Sequence, residues 1–220
     1  MREKEFKLNL LLLGVVVLCI IGIFFLAFNT NNTIKSINSE KEIIRTIKEI
    51  SYCNPITDFA VNDFISHSKE NRLLALTFYQ KEAGSYIVAE AIIDNAIKHE
   101  VPVNLAFALA FTESSYNPNS INGNTDRTQD KGLFQLNTRT FSSLTNEQFF
   151  DPNFNADKGL EYLRNRFNTV EYWEEAVSRY NAHNSPNNNT VRYIGRINYH
   201  IDRINKEFYN FQISNNICRE

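Results

Sequence analysis

Glu113 is the residue whose setting most readily changes its chemistry. It ends an apolar stretch, Leu105, Ala106, Ala108, Leu109 and Phe111, that reads as a largely buried helix. A carboxylate there faces the negative end of the helix dipole. Phe111, Tyr116 and Phe134 are near in sequence, and any that pack on the carboxyl withdraw it from water. Both effects raise a carboxyl pKa, as a general acid working near neutral pH requires. A glutamate at a helix end is usually a solvated surface group, so position alone assigns no role. Asp130 follows seventeen residues later, just before Lys131-Gly132. A retaining glycosidase needs two carboxylates about 5–5.5 Å apart, one as acid and one as nucleophile or charge stabiliser. Asp130 equally suits capping a turn through its side chain.

Other chemistries find no support. There is no Gly-rich phosphate loop, no Gly-x-Ser-x-Gly elbow and no His-Glu-x-x-His. His67, His99, His183 and His200 are scattered, and nothing has metal-ligand spacing, so neither metal nor cofactor is expected. The loop over Asn117–Asp130 is rich in oxygen ligands but does not match a calcium loop. A formal charge of −2 makes no case for nucleic acid.

The elements that must position Glu113 are mostly helices, because 220 residues contain only seven Gly and five Pro. Ile87, Ala89, Ala91, Ile92 and Ile97 predict a helix ending by Glu100, with Pro102 placed to start the next. Further helices are predicted over about 156–167, 171–180 and 191–208. Two short ones are expected over 58–66 and 71–81. The polar segment Asn117–Lys131 has room for a small hairpin.

The N-terminal end differs in kind. Leu10 to Phe28 is an uninterrupted run of nineteen apolar or Gly residues. As a helix it spans roughly 28 Å, close to the bilayer's hydrocarbon thickness. Arg2, Lys4 and Lys7 precede it and the next basic residue is Lys35, which predicts a cytoplasmic N-terminus and an exported remainder. Leu26-Ala27-Phe28-Asn29 lacks a small-x-small cleavage site, favouring an uncleaved anchor over a signal peptide. Removing Arg2, Glu3, Lys4, Glu5 and Lys7 from 23 basic and 25 acidic residues leaves 20 and 23, a mildly acidic exported part. Asn29–Ser39 reads as a polar tether, and Ile43, Ile44, Ile47 and Ile50 as one apolar helix face. Cys53 and Cys218, the two cysteines beyond the anchor, can tie the chain's ends in a disulfide-permissive compartment.

Three blocks recur in order: Glu113-Ser114, then Gly132-Leu133-Phe134-Gln135-Leu136-Asn137, then Ala176-Val177-Ser178-Arg179-Tyr180-Asn181-Ala182. With Asn155-x-x-x-Gly159-x-x-Tyr162-Leu163 between the last two, this order resembles the soluble lytic transglycosylase family of the lysozyme superfamily. The resemblance covers about Ile87–Ile204. It implies a mainly α, α+β lysozyme-like fold with a small β-hairpin, and peptidoglycan glycan strands as partner. It makes Glu113 the acid that protonates the β-1,4 bond between N-acetylmuramic acid and N-acetylglucosamine. The same carboxylate then takes the C6 hydroxyl proton as a 1,6-anhydro ring closes. Ser114, Gln135, Asn137, Tyr180 and Asn181 match residues that position the acid or bind glycan. Phe134 stands where Met is common, and Ser178, Arg179 and His183 where small residues are usual.

Asp130 keeps a second outcome open, because animal-type lysozymes place their second catalytic carboxylate at this spacing. A muramidase using Glu113 and Asp130, and an inactive glycan-binding scaffold, are the alternatives. The expected organisation is a cytoplasmic tip and transmembrane anchor over 1–28, a tether and helical spacer over 29–85, the lytic domain over 86–208 and a tail over 209–220. That places a single-pass protein in the bacterial plasma membrane with its catalytic domain outside. Envelope-spanning secretion or motility machinery is a candidate further partner.

Overall fold

The structure, a computed structural model, describes residues 59–182 and 188–218. The expected anchor over 10–28, the tether, the isoleucine-faced stretch, Cys53 and His183 lie outside these residues. Eight helices and three short strands are described. They are α1 (Ala60–His67), α2 (Lys69–Ala83), α3 (Tyr86–Lys98), α4 (Val103–Ser114), β1 (Ile121–Gly123), β2 (Gln129–Lys131), β3 (Leu136–Asn137), α5 (Asn146–Phe150), α6 (Pro152–Phe167), α7 (Trp173–Ala182) and α8 (Asn188–Ser214). This mainly helical architecture with one small antiparallel sheet fits the α+β lysozyme-like class.

The helix boundaries follow local chemistry. The side chains of Ser68 and Ser85 accept backbone N–H bonds at the starts of α2 and α3. Gly84, at φ +68°, ends α2 in the left-handed conformation. Thr145 and Gln148 form a reciprocal capping box on α5, and Asp151 caps α6 just before Pro152. These two signals account for α5, which hydrophobic spacing did not predict, and for the start of α6 at Pro152 rather than near 156.

α4 is the centre of the core. From Val103 to Ala110 every residue is buried, because α4 is covered by α3 on one side and α8 on another. Its lack of a polar face is therefore a consequence of being surrounded. Pro102 is the residue before α4 and not its first helical residue.

Three observations depart from the expected organisation. α1 and α2 fall within the segment expected as spacer, yet Phe64 and Tyr79 are fully buried and pack on Phe208 of α8. α8 runs on to Ser214, through the start of the expected tail, because Phe208 and Gln212 continue its buried face. The hairpin gains a third strand: β1 pairs with β2, and β2 pairs with β3 through Asp130↔Asn137 and Lys131↔Leu136.

If α1 belongs to the same core as the site, Phe64→Ala must destabilise the whole domain. We expect a loss of about 3–5 kcal/mol in chemical denaturation. A loss below about 1 kcal/mol would mean that α1 is only an attached spacer.

Candidate active site

Glu113 sits in the last turn of α4, partly buried at the wall of an open cleft of about 710 Å³. The cleft runs between the small sheet on one side and Tyr162, Tyr180 and Asn181 on the other. The Tyr193 hydroxyl, from α8, donates a hydrogen bond to Glu113 Oε1. Burial raises the Glu113 carboxyl pKa from an ordinary 4.5 to about 7. The Tyr193 hydrogen bond opposes this by favouring the carboxylate, the Asp130 charge adds to it, and the Arg196 charge opposes it.

The chain reverses directly after this carboxyl. Ser115 and Tyr116 both adopt positive φ, 52° and 63°, so α4 ends at once and Tyr116 turns back under Phe107 and Phe111. Its hydroxyl donates to Glu82 Oε1 at 2.9 Å, and Arg203 of α8 forms an ion pair with the same carboxylate. A tie thus runs from α2 through the turn behind Glu113 to α8. Burial is the largest single effect on the Glu82 carboxyl and pushes its pKa up, but the Arg203 bonds and charge and the Tyr116 hydroxyl together outweigh it and hold the carboxyl below its usual range.

Ser114 is buried, and its hydroxyl donates to the Leu133 carbonyl (2.8 Å), with the Ala110 carbonyl 3.1 Å away. It therefore fixes the end of α4 to the loop carrying Gly132–Gln135. That loop is held from behind by α6. Asn155, fully buried, accepts from Phe134 N–H at 2.7 Å and donates to the Phe149 and Lys131 carbonyls at 2.8 and 3.0 Å. A Cβ on Gly132 would lie 2.1 Å from the Phe149 carbonyl oxygen, and one on Gly159 only 2.5 Å from Phe134 Cβ. Both glycines are demanded by close approach, and Gly132 also by its φ of +80°.

Gln135 lines the cleft, but both ends of its side chain are occupied. Its amide donates to the Gly132 and Ser120 carbonyls at 2.8 and 3.2 Å, and its carbonyl accepts from Asn122 at 2.8 Å. Asp130, in the middle of β2, faces the same cleft. One of its oxygens accepts from Asn137 at 2.7 Å and the other from Asn124 at 3.0 Å. Asn137 also donates to Thr128, so it binds across the sheet as well as lining the cleft. Tyr180 donates its hydroxyl to the Phe134 carbonyl at 2.7 Å and packs edge-on against Tyr162. Asn181 is exposed at the cleft wall.

The structure therefore brings Glu113, Asp130, Gln135, Asn137, Tyr180 and Asn181 to one cleft, and puts Ser114 behind it. Arg179 pairs with Glu175 and Thr169 and is not among the lining residues, while Ser178 is buried. Cys218 is buried and disulfide-bonded. Sequence reasoning missed Tyr193, which contacts Glu113 from eighty residues away. A tyrosine on a helical stripe looks like ordinary core, and only the tertiary fold aims its hydroxyl. Glu82 and Arg203 were equally silent.

The raised carboxyl has a consequence for stability. Glu113 holds its proton more tightly in the folded chain than in the unfolded one. Its favourable contribution is therefore complete below about pH 4.5 and lost as pH rises through about 7. Relative to the wild type, Glu113→Gln should gain stability across that window, by at most about 3 kcal/mol. Tyr193→Phe should carry the loss to higher pH, since the bond favouring the carboxylate is gone. Denaturation curves measured from pH 4 to pH 9 check both; a flat difference between wild type and Glu113→Gln would contradict the burial of the carboxyl.

The chain has no match among curated proteins or solved structures. The Transglycosylase SLT domain family does match, over residues 90–201, just over half of the chain. Glu113, the Gly132–Gln135 loop, Asn155, Gly159, Tyr180 and Tyr193 all lie inside that stretch. The chain belongs to the Transglycosylase SLT domain family, whose general function is lytic cleavage of peptidoglycan glycan.

Proposed function

We propose that this protein is a membrane-anchored lytic transglycosylase that cuts the β-1,4 bond between N-acetylmuramic acid and N-acetylglucosamine. The observation that carries the reading is the Glu113 carboxyl, exposed to a polar cleft and titrating at about 7. Near neutral pH both its protonated and ionised forms are populated, which suits a group that acts first as acid and then as base. As acid, Glu113 gives its proton to the glycosidic oxygen and the bond to muramyl C1 breaks. As base, the same carboxylate takes the proton of the muramyl C6 hydroxyl, whose oxygen closes onto C1. The proton returns to Glu113 and no water is consumed. Tyr193 steadies the carboxylate between the two steps through its hydrogen bond. The amides and hydroxyls along the cleft suit a neutral, hydroxyl-rich strand. Leu10–Phe28 would hold the domain at the outer face of the plasma membrane, with residues 1–9 in the cytoplasm.

A second reading, hydrolysis, is favoured by one observation: Asp130 faces the same cleft and its charge reaches Glu113. Against it, both Asp130 oxygens already accept bonds from Asn124 and Asn137, the pattern of a carboxylate that braces a sheet.

Digestion of purified sacculi by the full chain in detergent, with mass spectrometry of the released muropeptides, separates the readings. Anhydro-muramyl ends, lighter by one water than reducing ends, are expected from the wild type. Glu113→Gln should lower their release by about 10³-fold or more, and Asp130→Asn should retain the anhydro product. Reducing ends that vanish in Asp130→Asn would establish a muramidase. No release by any chain would contradict both.

A further inference from the structure

α8 leaves one face uncovered. The two most exposed large apolar side chains among the described residues, Val191 and Tyr199, at 67% and 66%, both stand on this helix. Arg192, Gly195 and Tyr199 recur at three- and four-residue spacing and line an open hollow of about 630 Å³, and Asp202 follows three residues further on. Two such side chains on one helix, rimmed by charges, mark a contact surface.

Two charges on this face have no counter-charge. Arg72, Arg139, Arg164, Arg179 and Arg203 each meet a carboxylate. Arg196, one turn from Arg192, is engaged with the Tyr193 ring at 5.9 Å. Arg192 and Asp202 are exposed, and neither forms an ion pair among the described residues. They cannot serve each other, because the intervening helix holds them about 15 Å apart along its axis.

Gly195 is unexplained by packing within the chain. A Cβ there would meet nothing within 4 Å. Glycine in a helix interior weakens the helix. Its missing side chain leaves a gap one turn from the outstanding Tyr199 ring, a hole beside a knob.

These four positions are symmetric about the level of Ile197. Gly195 and Tyr199 lie equally far on either side of it, and so do Arg192 and Asp202. A twofold axis at that level, with two α8 helices antiparallel, sets each Tyr199 over the Gly195 of the other copy. It also brings each Arg192 within reach of the other copy's Asp202. Such a surface is self-complementary, as a twofold contact requires. A parallel pair would instead set Arg192 against Arg192. A foreign anion would satisfy Arg192 and leave Asp202 alone, whereas a second copy satisfies both.

We propose that two copies of this chain associate through antiparallel α8 helices, with Tyr199 seated at Gly195 and Arg192 paired with Asp202 across a twofold axis. None of these four residues lines the catalytic cleft.

Sedimentation equilibrium of the full chain in density-matched detergent tests this. The wild type should be a dimer. Arg192→Asp and Asp202→Arg should each weaken dimerisation by about tenfold or more, since each sets like charges together. The double charge reversal, Arg192→Asp with Asp202→Arg, should restore it to within about threefold of the wild type. Gly195→Leu should weaken it by filling the hole. All three positions are exposed, so the fold tolerates these changes. A wild type that stays monomeric up to about 100 µM would overturn the proposal. A dimer that survives all three single variants would place the contact elsewhere, in the N-terminal apolar run or on another face, and overturn it equally. Single reversals that weaken the dimer without rescue by the double would refute the Arg192–Asp202 pairing and the antiparallel arrangement with it.

Discussion

Keeping one carboxyl largely out of water, yet open to a cleft, is the constraint on which the remaining structure depends. Burial of Glu113 favours its neutral form, and a neutral carboxyl has a proton to give. Burial also carries a cost, since an ionised group in such a place is unstable unless something bonds it. Tyr193 provides that bond from α8, eighty residues further along the chain. The site is therefore a balance in which desolvation holds the proton on and the phenol makes its release tolerable. Neither could be adjusted alone without moving the pKa from about 7.

That balance needs α4 and α8 to stay in register, and the means extend past the family-matched stretch of 90–201. Glu82 on α2 and Arg203 on α8 lie on either side of it, and they meet through Tyr116, three residues beyond Glu113. Phe64 and Tyr79 lie before it and bury against Phe208, which follows it. The described part of the segment expected as spacer, residues 59–85, is thus part of the frame. On the other side of the cleft, Asn155 and Gly159 of α6 fix the Gly132–Gln135 loop, and Ser114 ties that loop to α4. The motif residues act chiefly by holding one another, which explains why they occur as an ordered set.

How much of this was legible follows from the range of the interactions. Helices α3, α4, α6 and α7 were readable because apolar spacing, Pro102 and the polar loop are local signals. Glu113 stood out by its place at the end of an apolar helix but took a role only from the ordered family blocks, which also marked the loop and Tyr180. The third strand was not legible, because β3 has two residues and depends on Asp130 and Asn137 meeting across a turn. Tyr193, Glu82 and Arg203 act only through contacts made across long sequence separations, and such contacts leave no periodicity behind. Ser114 and Gln135 were expected to position the acid or bind glycan. The Ser114 hydroxyl is bonded to backbone carbonyls, and the Gln135 side chain to the Gly132 and Ser120 carbonyls and the Asn122 amide, contacts that shape the cleft.

The central claim is that Glu113 is protonated through a substantial part of neutral solution because the fold withholds water from it. A carbon-13 NMR titration of the glutamate side chains, with Glu113 assigned by comparison with Glu113→Gln, measures this directly. One carboxyl should titrate with a midpoint at about pH 7 and be missing from the variant. A Glu113 midpoint in the ordinary glutamate range, near pH 4.5, would contradict the account.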